Sequence, residues 1–191
     1  MDSTYIIKKV NEYLHVATGS LSDWLSMLLP KATENWWEEC VLDRLSFNQR
    51  EMAKSKNFSK LAEFDLAALL RIADKNWYTM RSFAYLPTSE RECIRAMQGV
   101  RNNWAHCGRS LPPKESILHD LEIIQCFFEQ LSVSNDQLIG LKQFKTEVET
   151  GSMTPGYCHA DDEILQADYA EDIFFWKVLQ YLFFKQWKQL R

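Results

Sequence analysis

Glycine and proline are scarce, with 6 Gly and 5 Pro in 191 residues. Neither a G-x-G-x-x-G nor a G-x-x-x-x-G-K-[ST] stretch occurs, which argues against a nucleotide-binding α/β fold. The five cysteines (Cys40, Cys93, Cys107, Cys126, Cys158) are odd in number, irregularly spaced and without a C-x-x-C pair. That pattern indicates neither a disulfide framework nor a standard zinc site, so reduced thiols are expected. Cys158-His159 brings only two donors together, too few for a metal centre, and no metal or other cofactor is expected. H-E-x-x-H, G-x-S-x-G and paired-acid Asp-x-Asp motifs are missing as well. The first ten residues mix Asp2, Lys8 and Lys9 with a short apolar pair and contain no signal-peptide core. The most apolar stretch, Ile173 to Trp187, is interrupted by Lys177, Gln180, Lys185 and Gln186 and falls short of the roughly 20 residues a membrane span needs. The expectation is a soluble, cytoplasmic protein with no membrane partner.

Aromatic residues are plentiful: 7 Trp, 7 Tyr and 11 Phe make up 13% of the chain, enough for a dense core and for a buried interface besides. The formal net charge is −4, which alone disfavours a broad nucleic-acid surface, yet the charges are unevenly placed. Val41 to Lys114 carries 13 basic residues against 7 acidic ones, a net of +6, whereas Glu147 to Asp172 holds eight acids and no Lys or Arg. The middle of the chain can face an anion while the acidic segment keeps clear of it or shields it.

Apolar spacing is helical nearly throughout. Leu66, Leu69, Leu70, Ala73, Trp77, Met80 and Ala84 form an i, i+3, i+4, i+7 stripe that reads as one core helix of about five turns, with Asp65 at its start. A second helix opens after Pro87 at Thr88-Ser89-Glu90, runs through Ile94, Met97, Val100 and Trp104, and is expected to stop at Gly108. A third opens at Pro112-Pro113-Lys114-Glu115 and carries Ile117, Leu121, Ile124, Phe128 and Leu131 on one face. Upstream, Thr4 to Val16 and Ser20 to Leu45 read as two segments, the second broken at Pro30, and Ser46 to Ser59 as a short helix plus loop at the basic face. Asn135 to Val148 is another amphipathic helix, and a final, largely apolar one is expected over Asp168 to Leu190. No β-type alternation appears, so the class is all-α: a helical bundle of four or more helices over residues 1–149, followed by an acidic linker and C-terminal apolar helix over 150–191. Eleven of the fifteen residues from Ile173 to Trp187 are apolar, too many for a helix that buries one stripe, so that extension is expected to shield the basic face or to pack on a second subunit.

One constellation carries chemistry. Arg101-Asn102-Asn103-Trp104-Ala105-His106 ends the helix that opens at Thr88. Asn102 and His106, four residues apart, share a helix face, while Arg101 and His106 stand about 140° apart on a regular helix and converge best where it ends or across a dimer axis. The helix dipole favours a charged His106 and Arg101 opposes it. Arg101 can grip a phosphate in bidentate fashion, His106 can move a proton, and Asn102 can orient either.

The hexapeptide resembles the R-x(4–6)-H signature of HEPN domains. Together with Asp65-Leu66-Ala67-Ala68-Leu69-Leu70-Arg71 and Asn76-Trp77, it is similar to the branch named after a nuclear mRNA-surveillance endonuclease and common in prokaryotic defence proteins. The resemblance spans roughly Tyr13 to Leu131. It implies a metal-independent endoribonuclease of toxin or antiviral type, working as a homodimer whose two motifs face each other, because one His per chain cannot act as acid and base at once. Arg101, His106 and Asn102 are the implied catalytic residues, and Arg95, Arg109 and Lys114 the further cations expected to contact RNA. An inhibitory partner protein or a fused effector domain is a further expected partner. The alternative is a non-catalytic HEPN module that dimerises or binds nucleic acid for such a partner.

Overall fold

The computed structural model describes residues 3–105, 107 and 111–151. Among the described residues there are seven α-helices: α1 (Ser3–Leu28), α2 (Phe47–Ser55), α3 (Leu66–Lys75), α4 (Trp77–Arg81), α5 (Thr88–Ala105), α6 (Lys114–Gln130) and α7 (Asn135–Thr150). Short 3₁₀ and π turns join several of them, and no strand occurs among the described residues. The chain is all-α, as its periodicity requires. The acidic linker, Cys158-His159 and the expected C-terminal helix lie outside the described residues.

α5 packs between α3 and α6, α6 in turn meets α7, and the long α1 lies against α3, α5 and α6. The stripe Val10, Ala17, Leu21 and Leu25 on α1 is fully buried, as are Leu69, Leu70, Ile72 and Ala73 on α3, Ile94 and Met97 on α5, and Leu121, Ile124, Phe127 and Phe128 on α6. Each large aliphatic or aromatic side chain so removed from water contributes about 1.5–3 kcal/mol. Tyr13 ties three helices together, its ring standing edge-on to Phe128 at 6.2 Å and tilted against Phe144 at 5.9 Å.

Two expectations about helix boundaries are corrected. The segments Thr4 to Val16 and Ser20 to Leu45 do not meet at a break: α1 continues through Gly19, because the buried row Tyr13, Ala17, Leu21, Leu25 keeps helical spacing across it. Thr18 bonds back to the Leu14 carbonyl at 2.8 Å, and Gly19 sits in open space. The chain leaves the α-helix after Leu28, where Pro30 falls inside a 3₁₀ turn, and continues as 3₁₀ and π turns up to Arg44. The five-turn core helix is likewise two helices, α3 and α4, separated at Asn76. Asn76 is fully buried, and its amide nitrogen donates to the carbonyls of Cys40 at 2.6 Å and Ile72 at 2.8 Å. Its side chain thereby anchors the π turn at Trp37–Val41 to the helix break. Asn76→Ala is expected to destabilise the fold by about 1–3 kcal/mol, since it strands the Cys40 carbonyl without its donor. Chemical denaturation midpoints of the two proteins measure this, and an unchanged midpoint would refute the anchor.

Local caps agree with the sequence elsewhere. Ser46 and Gln49 make a capping box on α2. Asp65 caps α3 by accepting from the Ala68 amide at 2.9 Å. α7 ends at Gly151, whose φ of +70° suits glycine and whose N–H bonds the Glu147 carbonyl at 2.9 Å. No helix among the described residues is long and apolar enough to cross a membrane.

Candidate nucleic-acid site

α5 buries Cys93, Ile94, Met97, Val100 and Trp104. With that stripe fixed in the core, the intervening positions are turned outward: Arg101 is half-buried, and Asn102 and Asn103 are exposed. Arg101 Nη2 donates to Asp65 Oδ2 at 3.1 Å, and Nη1 donates to Asn102 Oδ1 at 3.3 Å. The guanidinium therefore stands over the N-terminus of α3, its plane set by a carboxylate from one helix and an amide from its own. Two of its five N–H donors are used, which leaves others for an anion. The Asp65 side chain is 54% exposed and that of Arg101 29%, so water screens the pair and it contributes at most about 1 kcal/mol.

The last turn of α5 is held from the opposite side. Trp104 Nε1 donates to Asp120 Oδ2 of α6 at 2.8 Å, and both residues are buried. Burial pushes the Asp120 carboxyl above its ordinary range, against the Trp104 indole, the charge of His119 and the Asn103 side chain, which all favour the carboxylate. Removing the acceptor leaves a buried indole N–H without a partner, so Asp120→Ala is expected to cost about 1–3 kcal/mol, whereas Asp120→Asn keeps an acceptor and costs less. The pH dependence has a definite sign. Because the folded-state pKa is raised, this group's contribution is fully present below the ordinary Asp value and is lost as pH rises through the folded value. Asp120→Asn should therefore gain stability relative to the parent protein across that rise. A constant difference between the two between pH 3 and pH 7 would contradict the assignment.

His106 and Arg109 lie outside the described residues. Cys107 follows the helix half-buried, its N–H reaching the Trp104 carbonyl at 3.3 Å. Of the other expected RNA contacts, Arg95 is exposed but bonds Asp74 Oδ1 at 2.9 Å, six positions before Arg101 on α5, and Lys114 donates to the Glu149 carbonyl at the end of α7 at 2.5 Å. The structure thus gathers Arg101 and Asn102 at one place and sets Arg95 and Lys114 apart from it, each with a protein partner. Among the described residues no three metal-ligating side chains cluster.

Two residues at this site escape the sequence reading. Asp65 reads only as an acid at a helix start, and nothing in the chain signals its pairing with a residue 36 positions away. Asp120 was detectable in principle: it lies three positions after Ile117 and four before Ile124, on the apolar face of α6, where a carboxylate must find a donor.

A protein-family description, Swt1-like HEPN, matches residues 12–132, which takes in α1 from residue 12 onward, α2 through α6 and the Arg101 to His106 segment. No curated protein and no solved structure matches.

Proposed function

Because this chain belongs to the Swt1-like HEPN family, and so at family level is a nuclease or nucleic-acid-related module, we propose that it is a metal-independent endoribonuclease with a composite Arg101/His106 site formed by two copies of the chain. The observation that supports this most is the presentation of Arg101. Its guanidinium stands at the surface end of α5, oriented by Asp65 and Asn102, five residues before His106.

In this reading Arg101 donates to the non-bridging oxygens of the scissile phosphate and stabilises the charge that builds on them as the 2′-oxygen attacks. One His106 accepts the 2′-hydroxyl proton, and the partner's His106 gives a proton to the departing 5′-oxygen. The new bond joins the 2′-oxygen to phosphorus and the bond to the 5′-oxygen breaks, leaving a 2′,3′-cyclic phosphate and a 5′-hydroxyl. Asn102 keeps the guanidinium in plane. The activity suits a toxin or an antiviral effector, restrained by a partner protein or a fused domain.

A second reading, a non-catalytic HEPN interaction module, is favoured by one observation: Arg101 already has an acidic partner in Asp65. Incubating the full chain with single-stranded RNA in EDTA separates the two. Cleavage is expected, and an intact substrate at all protein concentrations would favour the interaction module.

A further inference from the structure

Asp74, at the C-terminal end of α3, accepts from two guanidiniums, Arg91 Nε at 2.8 Å and Arg95 Nε at 2.9 Å. Burial pushes the Asp74 carboxyl up, but the two arginines outweigh it and hold the carboxyl below its ordinary value, so the cluster is charged throughout the neutral range. Thus fixed, Arg91 lies 4.7 Å from the centroid of the Tyr78 ring, on α4. Tyr78 is nonetheless 69% exposed, so one part of the ring is braced by a cation and the rest faces water. Tyr85, in the short segment between α4 and α5, is 85% exposed. Arg91, Arg95 and Asn102 are spaced by four and seven residues and so form one stripe along α5, with Arg101 about 15 Å of helix rise from Arg91.

Arg91, held by Asp74, fixes the orientation of an exposed aromatic ring beside a second arginine, the combination of ring and cations that a single strand uses for stacking and phosphate contact. We propose that Tyr78, braced by Arg91, is a stacking platform for an unpaired nucleobase, and that the row from Arg91 through Arg95 leads the strand's phosphates toward Arg101. The ligand is single-stranded nucleic acid, because a base can lie on a ring only when its own face is open, whereas a duplex would meet the row through its phosphates alone. Charge complementarity favours this occupant: Arg91 and Arg95 share a single carboxylate, Asp74, so the row keeps a net positive charge that suits a strand's phosphates. The inference rests on and deepens the RNA-binding part of the reading above by naming the ring on which a base of the strand stacks.

The test uses the full chain and a short fluorescein-labelled RNA whose 2′-oxygens are all methylated, so that it binds but cannot be cleaved. Anisotropy titrations at low salt compare the parent protein with Tyr78→Ala and Tyr78→Phe, on the single strand and on the same strand annealed to its complement. Tyr78→Ala should weaken single-strand binding about tenfold, Tyr78→Phe should restore it, and all three should bind the duplex alike. Sedimentation mass should not change. Unchanged single-strand affinity in Tyr78→Ala, or an equal loss on duplex, would overturn the platform. So would loss of assembly in that variant, which would make the Tyr78 face a contact between copies. Cleavage of unmethylated RNA is followed in parallel. Tyr78-dependent binding without cleavage would refute the nuclease reading and leave the platform standing, and cleavage with Tyr78-independent binding would do the reverse.

Discussion

Arg101→Ala and His106→Ala should each reduce RNA cleavage by at least about 10²-fold, the amount typically lost with one acid–base or charge-stabilising group. Neither should disturb the fold much. Arg101 contributes one partly screened ion pair, worth at most about 1 kcal/mol, and the residues that hold α5 in place are Val100 and Trp104 rather than Arg101. Circular dichroism, sedimentation mass and the denaturation midpoint accompany the cleavage assay. Cleavage retained in both variants would remove the catalytic assignment. Loss of cleavage together with a large loss of stability in Arg101→Ala would instead make the Arg101–Asp65 pair a structural strut. Asp65→Ala provides the comparison: it removes the cap of α3 as well as the partner of Arg101, so it should destabilise by about 1 kcal/mol more than Arg101→Ala does.

The second large effect concerns subunit stoichiometry. If each site needs a His106 from both protomers, one as base and one as acid, then a dimer with a single His106→Ala subunit is inactive. Mixing parent protein with excess His106→Ala under exchanging conditions should therefore lower activity as the square of the parent fraction. A linear fall, proportional to the parent protein present, would show that each chain cleaves by itself and would dismiss the composite site.

How far the chain could be read depended on the range of the interaction concerned. The start of α5 and both ends of α6 were legible almost to the residue, because a proline before each start and an uninterrupted apolar stripe act within one helix, while the expected stop of α5 at Gly108 lies outside the described residues. α1 was split wrongly because Thr18-Gly19-Ser20 has the local chemistry of a break, and only the burial of Ala17 and Leu21 against other helices overrides it. The division between α3 and α4 was hidden for the same reason: the apolar spacing runs straight through Asn76, and the cause of the break is the Cys40 carbonyl, 36 residues upstream. At the site, Arg101 and Asn102 announced themselves as a local motif. Asp65, which aims Arg101, and Asp120, which fixes Trp104, belong to other helices and become visible only once those helices are packed.

The Arg95 and Lys114 assignments illustrate a related limit. Net positive charge over Val41 to Lys114 marks a basic region, yet charge counting cannot distinguish a cation available to phosphate from one already spent on the protein. Lys114 satisfies a carbonyl at the end of α7, the place where a helix dipole favours a cation. Arg95 shares Asp74 with Arg91 but keeps its side chain 54% exposed, so it can still face a phosphate. Positions rather than numbers of charges decide which of them can meet RNA.

In the proposed reaction Arg101 and His106 cleave RNA by using the substrate's own 2′-oxygen as the nucleophile. Mass spectrometry of the fragments produced by the full chain in EDTA tests it most directly. Ends carrying a 2′,3′-cyclic phosphate, paired with 5′-hydroxyl ends and missing from the Arg101→Ala reaction, are the predicted result. Fragments with 3′-hydroxyl and 5′-phosphate ends, or cyclic-phosphate ends that persist undiminished in Arg101→Ala, would contradict it.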